Sequence, residues 1–154
     1  MTPATKTLDK AKIAYKIHEY QHDASASAYG LEAAEKLNLP TDQVFKTLVA
    51  ELDSGALVVA IIPVDKKLNM KQLAKAAKAK KAAMAAPDKV QRSTGYVLGG
   101  VSPIGQKKRL ATFIHASAET LESIYVSGGR RGLDIQLSPQ DLQALTHATM
   151  VDLT

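Results

Sequence analysis

Two apolar runs, residues 44–52 (VFKTLVAEL) and 56–63 (ALVVAIIP), flank the triplet Asp53-Ser54-Gly55. Alternating or continuous apolar runs joined by a short Asp/Gly turn read as a β-hairpin. The second run is almost wholly apolar, so its strand has no face to offer water and belongs at the centre of a sheet. Any fold for this chain must be built around that buried pair.

The rest of the chain supplies short elements in irregular order. Thr2 or Pro3 opens a helix to about residue 12. Residues 14–20 (AYKIHEY) alternate as a half-buried or edge strand, and 21–27 form a polar loop. A short helix over 29–39 is expected to turn Leu31, Ala34 and Leu37 inward, with Pro40 as its stop. Asn69 caps a helix over about 70–78, 81–85 reads as a short strand, and Pro87 begins a helix ending before Gly95. Strands follow at 111–115, after a helical turn within 119–126, at 133–137 and at 149–153. Ser138-Pro139 starts the last helix, to about Thr146, and 127–132 (SGGRRG) reads as a tight basic loop. No repeat or linker divides the 154 residues. The pattern predicts one α+β domain with a mixed sheet.

Composition narrows the chemistry. The chain has no cysteine, which excludes disulfides, thiolate zinc sites and a cysteine nucleophile. Aromatic residues make up 5% with no Trp, a poor basis for a stacking platform for single strands. A net charge of +5 suits an anionic partner such as tRNA. No signal-peptide core and no apolar run of about 18 residues is present, so the chain reads as soluble and cytosolic, without membrane association.

The chemically suggestive stretch is 92–110 (RSTGYVLGGVSPIGQKKRL), with glycines at 95, 99, 100 and 105 and Pro103 between them. Glycines let a backbone approach a ligand and turn its N–H groups outward, as an anion nest or an oxyanion hole does. Lys46 sits inside a strand, where it is either solvated or an anchoring cation for a phosphate or carboxylate, with Thr47 beside it as a hydroxyl donor. Lys67, Lys71, Lys75 and Lys78 fall at i, i+4, i+8 and i+11, one basic stripe if the region is helical. It is either a solvated face or a grip on a phosphate backbone, as Arg130 and Arg131 of the basic loop also are. His18 and His22 have no evident third ligand, so no metal and no cofactor are expected. Ser127 and Asp134 flank the basic loop; Asp134 is expected to face away from the core, as a solvated acid or a group that orients substrate. No nucleophile elbow, phosphate loop or dinucleotide fingerprint occurs.

Three motifs in order, VFKTL around Lys46, RSTGYVLGGVSPIGQKKRL, and YVSGGRRGLDI over 125–135, closely resemble the YbaK/EbsC family of Cys-tRNA(Pro) deacylases. The opening MTPA and the segment IHEYQHD agree, and the likeness runs essentially end to end. Ala111 departs from the proline common after KKRL, with little consequence expected at the edge of the loop.

The resemblance implies a compact α+β domain with a mixed, partly barrel-like sheet, related to the editing insertion of bacterial prolyl-tRNA synthetases. It implies a trans-editing enzyme that removes cysteine from proline tRNA, with Cys-tRNA(Cys) and, separately, other misacylated tRNAs as further candidate substrates. Prolyl-tRNA synthetase is a candidate partner; DNA is not. By position, Lys46 and Thr47 would hold the 3′-terminal adenosine and aminoacyl end. Tyr20, Ser127 and Asp134 would line the aminoacyl pocket, and the backbone of Gly99, Gly100, Val101, Ser102 and Gly105 would donate to the scissile carbonyl. With no obvious enzymic nucleophile, the family scheme has the substrate cysteine's thiol attack its own ester. Two other readings stand beside it: editing of another residue such as alanine, and a non-catalytic module that binds the tRNA 3′ end or a synthetase.

Overall fold

In the computed structural model, which describes residues 1–26 and 28–154, the elements run α1 (Pro3–Ala11), β1 (Lys16–Glu19), α2 (Tyr29–Lys36), β2 (Phe45–Leu52), β3 (Leu57–Pro63), α3 (Met70–Ala76), β4 (Ala82–Met84), α4 (Pro87–Thr94), β5 (Ala111–His115), a 3₁₀ turn (Ala116–Thr120), β6 (Ile124–Arg130), β7 (Leu133–Leu137), α5 (Pro139–Thr146) and β8 (Thr149–Val151). The expected hairpin forms, with β2 and β3 antiparallel from Phe45 opposite Pro63 to Glu51 opposite Leu57. β3 is the middle strand of a five-stranded sheet in the order β4-β2-β3-β5-β8. Its uniform apolarity follows from burial on both faces. Val59 and Ile61 enter one core, while Val58, Ala60 and Ile62 enter another with Leu73 of α3 and Phe113.

The pairings β3–β5 and β5–β8 are parallel, so this sheet is mixed. A second, antiparallel sheet has the order β1-β7-β6. Between the sheets Val59, Ile61 and Ile114 meet Ile124, Val126 and Ile135, with Leu8 of α1 and Leu142 of α5 in the same cluster. The sheets touch along one seam, where Val44 bridges Tyr125 and the Tyr125 N–H donates to the Gln43 carbonyl at 3.0 Å. The partly barrel-like sheet is thus two sheets stitched at an edge, and no barrel closes among the described residues.

Local chemistry sets the ends of the elements. The Thr2 hydroxyl accepts from the Thr5 N–H while the Thr5 hydroxyl accepts from the Thr2 N–H, a reciprocal cap on α1 with Pro3 at its first position. Asn69 and Ser138 cap α3 and α5, and Gly95, at φ 82°, ends α4.

Two expectations are corrected. α2 buries Glu32, Ala33 and Ala34 and leaves Leu31 43% exposed. Its face is fixed by Glu32, whose carboxylate accepts from the Asp23 N–H at 2.7 Å and pairs with His22 at 2.8 Å and Lys36 at 3.2 Å. That set of partners makes the burial of a carboxylate tolerable. The supposed loop 127–132 is strand as far as Arg130: a register shift between Ser127 and Arg130 lets β6 bulge at its glycines and stay paired with β7. The end of the polar loop at Ser27 lies outside the described residues. Among these, no helix is long and apolar enough to cross a membrane.

Candidate functional site

Where the two sheets meet, α2 and the loop after α4 stand over the seam and leave a cleft of about 230 Å³. Its floor is β2 from Phe45 to Leu48, and its walls include Tyr20 just after β1, Ser127, Arg130 and Asp134 of the smaller sheet, and Tyr29, Gly30 and Leu31 of α2. Leu98, Gly99 and Val101 form the remaining side. Gly30 allows α2 to lie this close, because a methyl group there would sit 2.5 Å from Val64 Cγ1 and 3.7 Å from Lys46 Cβ.

The polar groups of the cleft are poorly solvated. Burial lowers the Lys46 ammonium pKa, against the raising influence of Asp65 and with Lys67 adding to the fall. The Thr47 hydroxyl is buried with no hydrogen-bond partner among the described residues, an arrangement that costs free energy until a ligand supplies one. Of the two readings of Asp134, the solvated acid does not hold. It is 6% exposed, and desolvation pushes its carboxyl up to about 7. Its strand neighbours in register are His18 on β1 and Ser127 on β6. The Tyr20 phenol is raised by burial first and by the Asp134 charge second. The Ser127 hydroxyl accepts from the Gly129 N–H at 3.2 Å, which holds the bulge.

The glycine-rich loop is locked from within. Tyr96 is buried, and its hydroxyl, pushed up to about 12 by desolvation, donates to the Ile104 carbonyl at 2.6 Å. The N–H groups of Lys107 and Lys108 return to the Thr94 and Ser93 carbonyls, both at 2.9 Å. The predicted donors therefore divide. Gly99 and Val101 line the cleft, and no described residue accepts from either N–H. The Gly100 N–H is spent on the Val97 carbonyl at 2.9 Å. Ser102 is fully buried, its hydroxyl accepting from the Ile104 N–H, and Gly105 packs on α1, where a methyl group would meet the Pro3 carbonyl at 2.6 Å. Ser102 and Gly105 shape the loop and do not face the cleft.

The basic residues separate too. Only Lys71 and Lys75 share α3; Lys67 precedes it and Lys78 follows in the left-handed region at φ 58°. The continuous stripe is broken because the helix stops at Ala76. Arg130 pairs with Glu19 at 3.2 Å at the cleft edge. Arg131, exposed, folds back onto the glycine-rich loop, donating from Nε and Nη2 to the Leu98 carbonyl at 3.2 and 2.7 Å. His18 and His22 are engaged separately, with Gln136 and Glu32, each at 2.8 Å. Tyr29, Gly30, Leu31 and Leu98 were not anticipated from the sequence. The available signal was Gly30, a glycine in the first turn of a helix.

One cleft thus brings together a desolvated lysine, an orphan hydroxyl and open backbone donors at a glycine-rich loop, in a chain whose sequence is that of an aminoacyl-tRNA editing domain. The chain belongs to that family, whose pattern matches residues 25–145. Among relatives, "Putative Cys-tRNA(Pro)/Cys-tRNA(Cys) deacylase EbsC" of Enterococcus faecalis is 36% identical over 154 residues, 99% of this chain and 93% of its own length. A proline–tRNA ligase of Trichlorobacter lovleyi is 29% identical over 116 residues, 70% of this chain but 20% of that enzyme. The solved structure of "a putative trans-editing enzyme for prolyl tRNA synthetase" has a TM-score of 0.86 at 22% identity, covering 99% of this chain and 94% of that one. At that identity the likeness bears on the fold.

Proposed function

We propose that this protein is an aminoacyl-tRNA deacylase of the cytoplasm that hydrolyses cysteine from proline tRNA. The observation that carries this reading is the convergence, in one cleft, of Lys46, the unpartnered Thr47 hydroxyl and the free N–H groups of Gly99 and Val101. An aminoacyl ester is already activated, so positioning and a home for the developing oxyanion contribute more than a strong base. Lys46 holds the phosphate or ribose end, Thr47 completes its hydrogen bonding on the ester, and the loop amides receive the carbonyl oxygen.

No cysteine exists in the chain to supply an enzymic thiol, and the family resemblance implies that the substrate supplies its own. The substrate thiol is the nucleophile. Its sulfur forms a bond to the carbonyl carbon, the carbonyl π electrons move to oxygen, and the tetrahedral intermediate then expels the ribose oxygen. That oxygen takes up the proton the thiol gave away. The products are deacylated tRNA and a cyclic thioester, which water opens to cysteine. A free thiol ionises near 8.5, so the cation of Lys46 helps by enlarging the small thiolate fraction at neutral pH.

The test is deacylation of cysteine, alanine and serine esterified to the same proline tRNA, each also as a spontaneous blank. Cysteine should be lost fastest, and S-methylcysteine on the same tRNA should persist. Equal loss of all three esters would replace the thiol mechanism with direct attack by water. Tight tRNA binding with no turnover would replace the enzyme with a recruiting module.

A further inference from the structure

Arg131 has the composition of a phosphate-binding residue and the geometry of something else. It sits at the turn after β6, followed by Gly132 at φ 85°. From there its guanidinium reaches back to Leu98 and Tyr29, which line the cleft. Nε and Nη2 both donate to the Leu98 carbonyl, and the group lies 4.6 Å over the ring centre of Tyr29 at the start of α2. The His22 ring also approaches Tyr29, tilted at 5.8 Å between centres. Three separate segments are thereby held on one cation: the glycine-rich loop, the first turn of α2 and the β6–β7 turn.

The consequence lies in the peptide unit between Leu98 and Gly99. A trans peptide is planar, and its C=O and N–H point in opposite directions. Fixing the carbonyl toward Arg131 therefore fixes the Gly99 N–H away from it. Gly99 adopts φ 85°, and a methyl group there would lie 2.6 Å from Arg131 Nε and 2.9 Å from the Tyr29 ring. The missing side chain is what lets the clamp close on this residue. The N–H has no acceptor among the described residues, although the residue lines the cleft.

We propose that Arg131 is a positioning residue, which by clamping the Leu98 carbonyl aims the Gly99 N–H into the cleft as a donor to the ester carbonyl oxygen of bound substrate. The proposal rests on the deacylase reading for its chemistry and on the clamp geometry for its structure. Lysine does not substitute: it offers a point charge without the flat fork that grips one oxygen twice while stacking on Tyr29.

The experiment compares wild type, Arg131→Lys and Arg131→Ala in kcat, KM and the salt dependence of KM for cysteinyl-tRNA. Both variants should lose about 10²-fold in kcat, the scale of a donor displaced by about 1 Å, with KM and its salt slope unchanged. Methylguanidinium should recover part of the kcat of Arg131→Ala and none for wild type. An intact kcat with a raised KM and a salt slope smaller by about one unit would make Arg131 a phosphate contact and overturn the proposal. A second arm needs no turnover. In ¹⁵N spectra of the folded Arg131→Lys variant the Gly99 amide resonance should move from its wild-type position. An unmoved Gly99 signal overturns the clamp even in an active enzyme, whereas a moved one in a protein that deacylates no tRNA overturns the proposed function alone.

Discussion

Asp134 is the residue whose environment departs furthest from what its type implies. An aspartate in an unfolded chain ionises near 3.8, whereas desolvation in the cleft pushes this one up to about 7. Between those values the folded protein holds a proton that the unfolded chain has released. The contribution to stability is therefore full below pH 4 and lost as pH rises toward 7, beyond which it changes no further. Asp134→Asn keeps the neutral form at every pH and should remove that slope. The variant should gain on wild type by on the order of a few kcal/mol at pH 8 while matching it at acid pH. Urea midpoints at pH 4, 6 and 8 for both proteins check this, and parallel pH profiles would mean the carboxylate has a cationic partner in solution. The burial itself was not legible in the sequence. Asp134 alternates correctly with Leu133 and Ile135, but period alone cannot say that the polar face of β7 is roofed by another segment. Lys46 and Gly99 stand in the motifs that carry the family resemblance, whereas residue type alone left Lys46 as readily a solvated strand lysine.

At the scale of the element, nearly every strand and helix start could be read in advance, since caps, Pro and Gly announce ends chemically. What escaped was orientation. The apolar spacing of α2 suggested Leu31 inward, yet the buried Glu32 and its three partners outweigh a leucine and rotate the helix. A pattern of side-chain types does not contain the partners that make a carboxylate buriable. The β6 bulge escaped for a related reason: glycines signal a break, and only the facing strand decides whether pairing continues through it.

The position of α2 makes Gly30 the element's most sensitive point. Gly30→Ala gains helix propensity worth up to about 1 kcal/mol. It also drives a methyl group to 2.5 Å from Val64 Cγ1, and overpacking of that kind costs about 1–3 kcal/mol. A net loss of about 1 kcal/mol is expected, with a raised KM as α2 lifts from the floor. Adding Val64→Ala should relieve the Gly30→Ala defect, so a double-mutant cycle would show favourable coupling. Additive effects would place the α2–Val64 contact outside the determinants of the cleft.

For the whole molecule, the cleft and the basic surface answer different parts of one recognition problem. On the proposed function, a cavity of about 230 Å³ has room for the acylated end of a tRNA and little of its body. Affinity for the body must come from charge elsewhere, and a net +5 on 154 residues is enough to supply it without a sequence-reading element. The broken lysine stripe refines where. Lys71 and Lys75 stand one turn apart on the exposed side of α3, and Lys67, close enough to bias Lys46, lies between them and the cleft in the chain. If the tRNA backbone leaves the cleft over α3, these three are the cations it would meet. Each phosphate contact adds about 0.7–0.9 to the slope of log Kd against log salt. Lys71→Gln with Lys75→Gln should therefore lower that slope by about 1.4–1.8, weaken proline tRNA and other tRNA bodies alike, and leave kcat at saturating substrate unchanged. Binding titrations at several salt concentrations, with two different tRNAs, measure both effects. An unchanged slope would move the grip off α3, and a loss confined to proline tRNA would mean that this surface reads tRNA identity as well as charge.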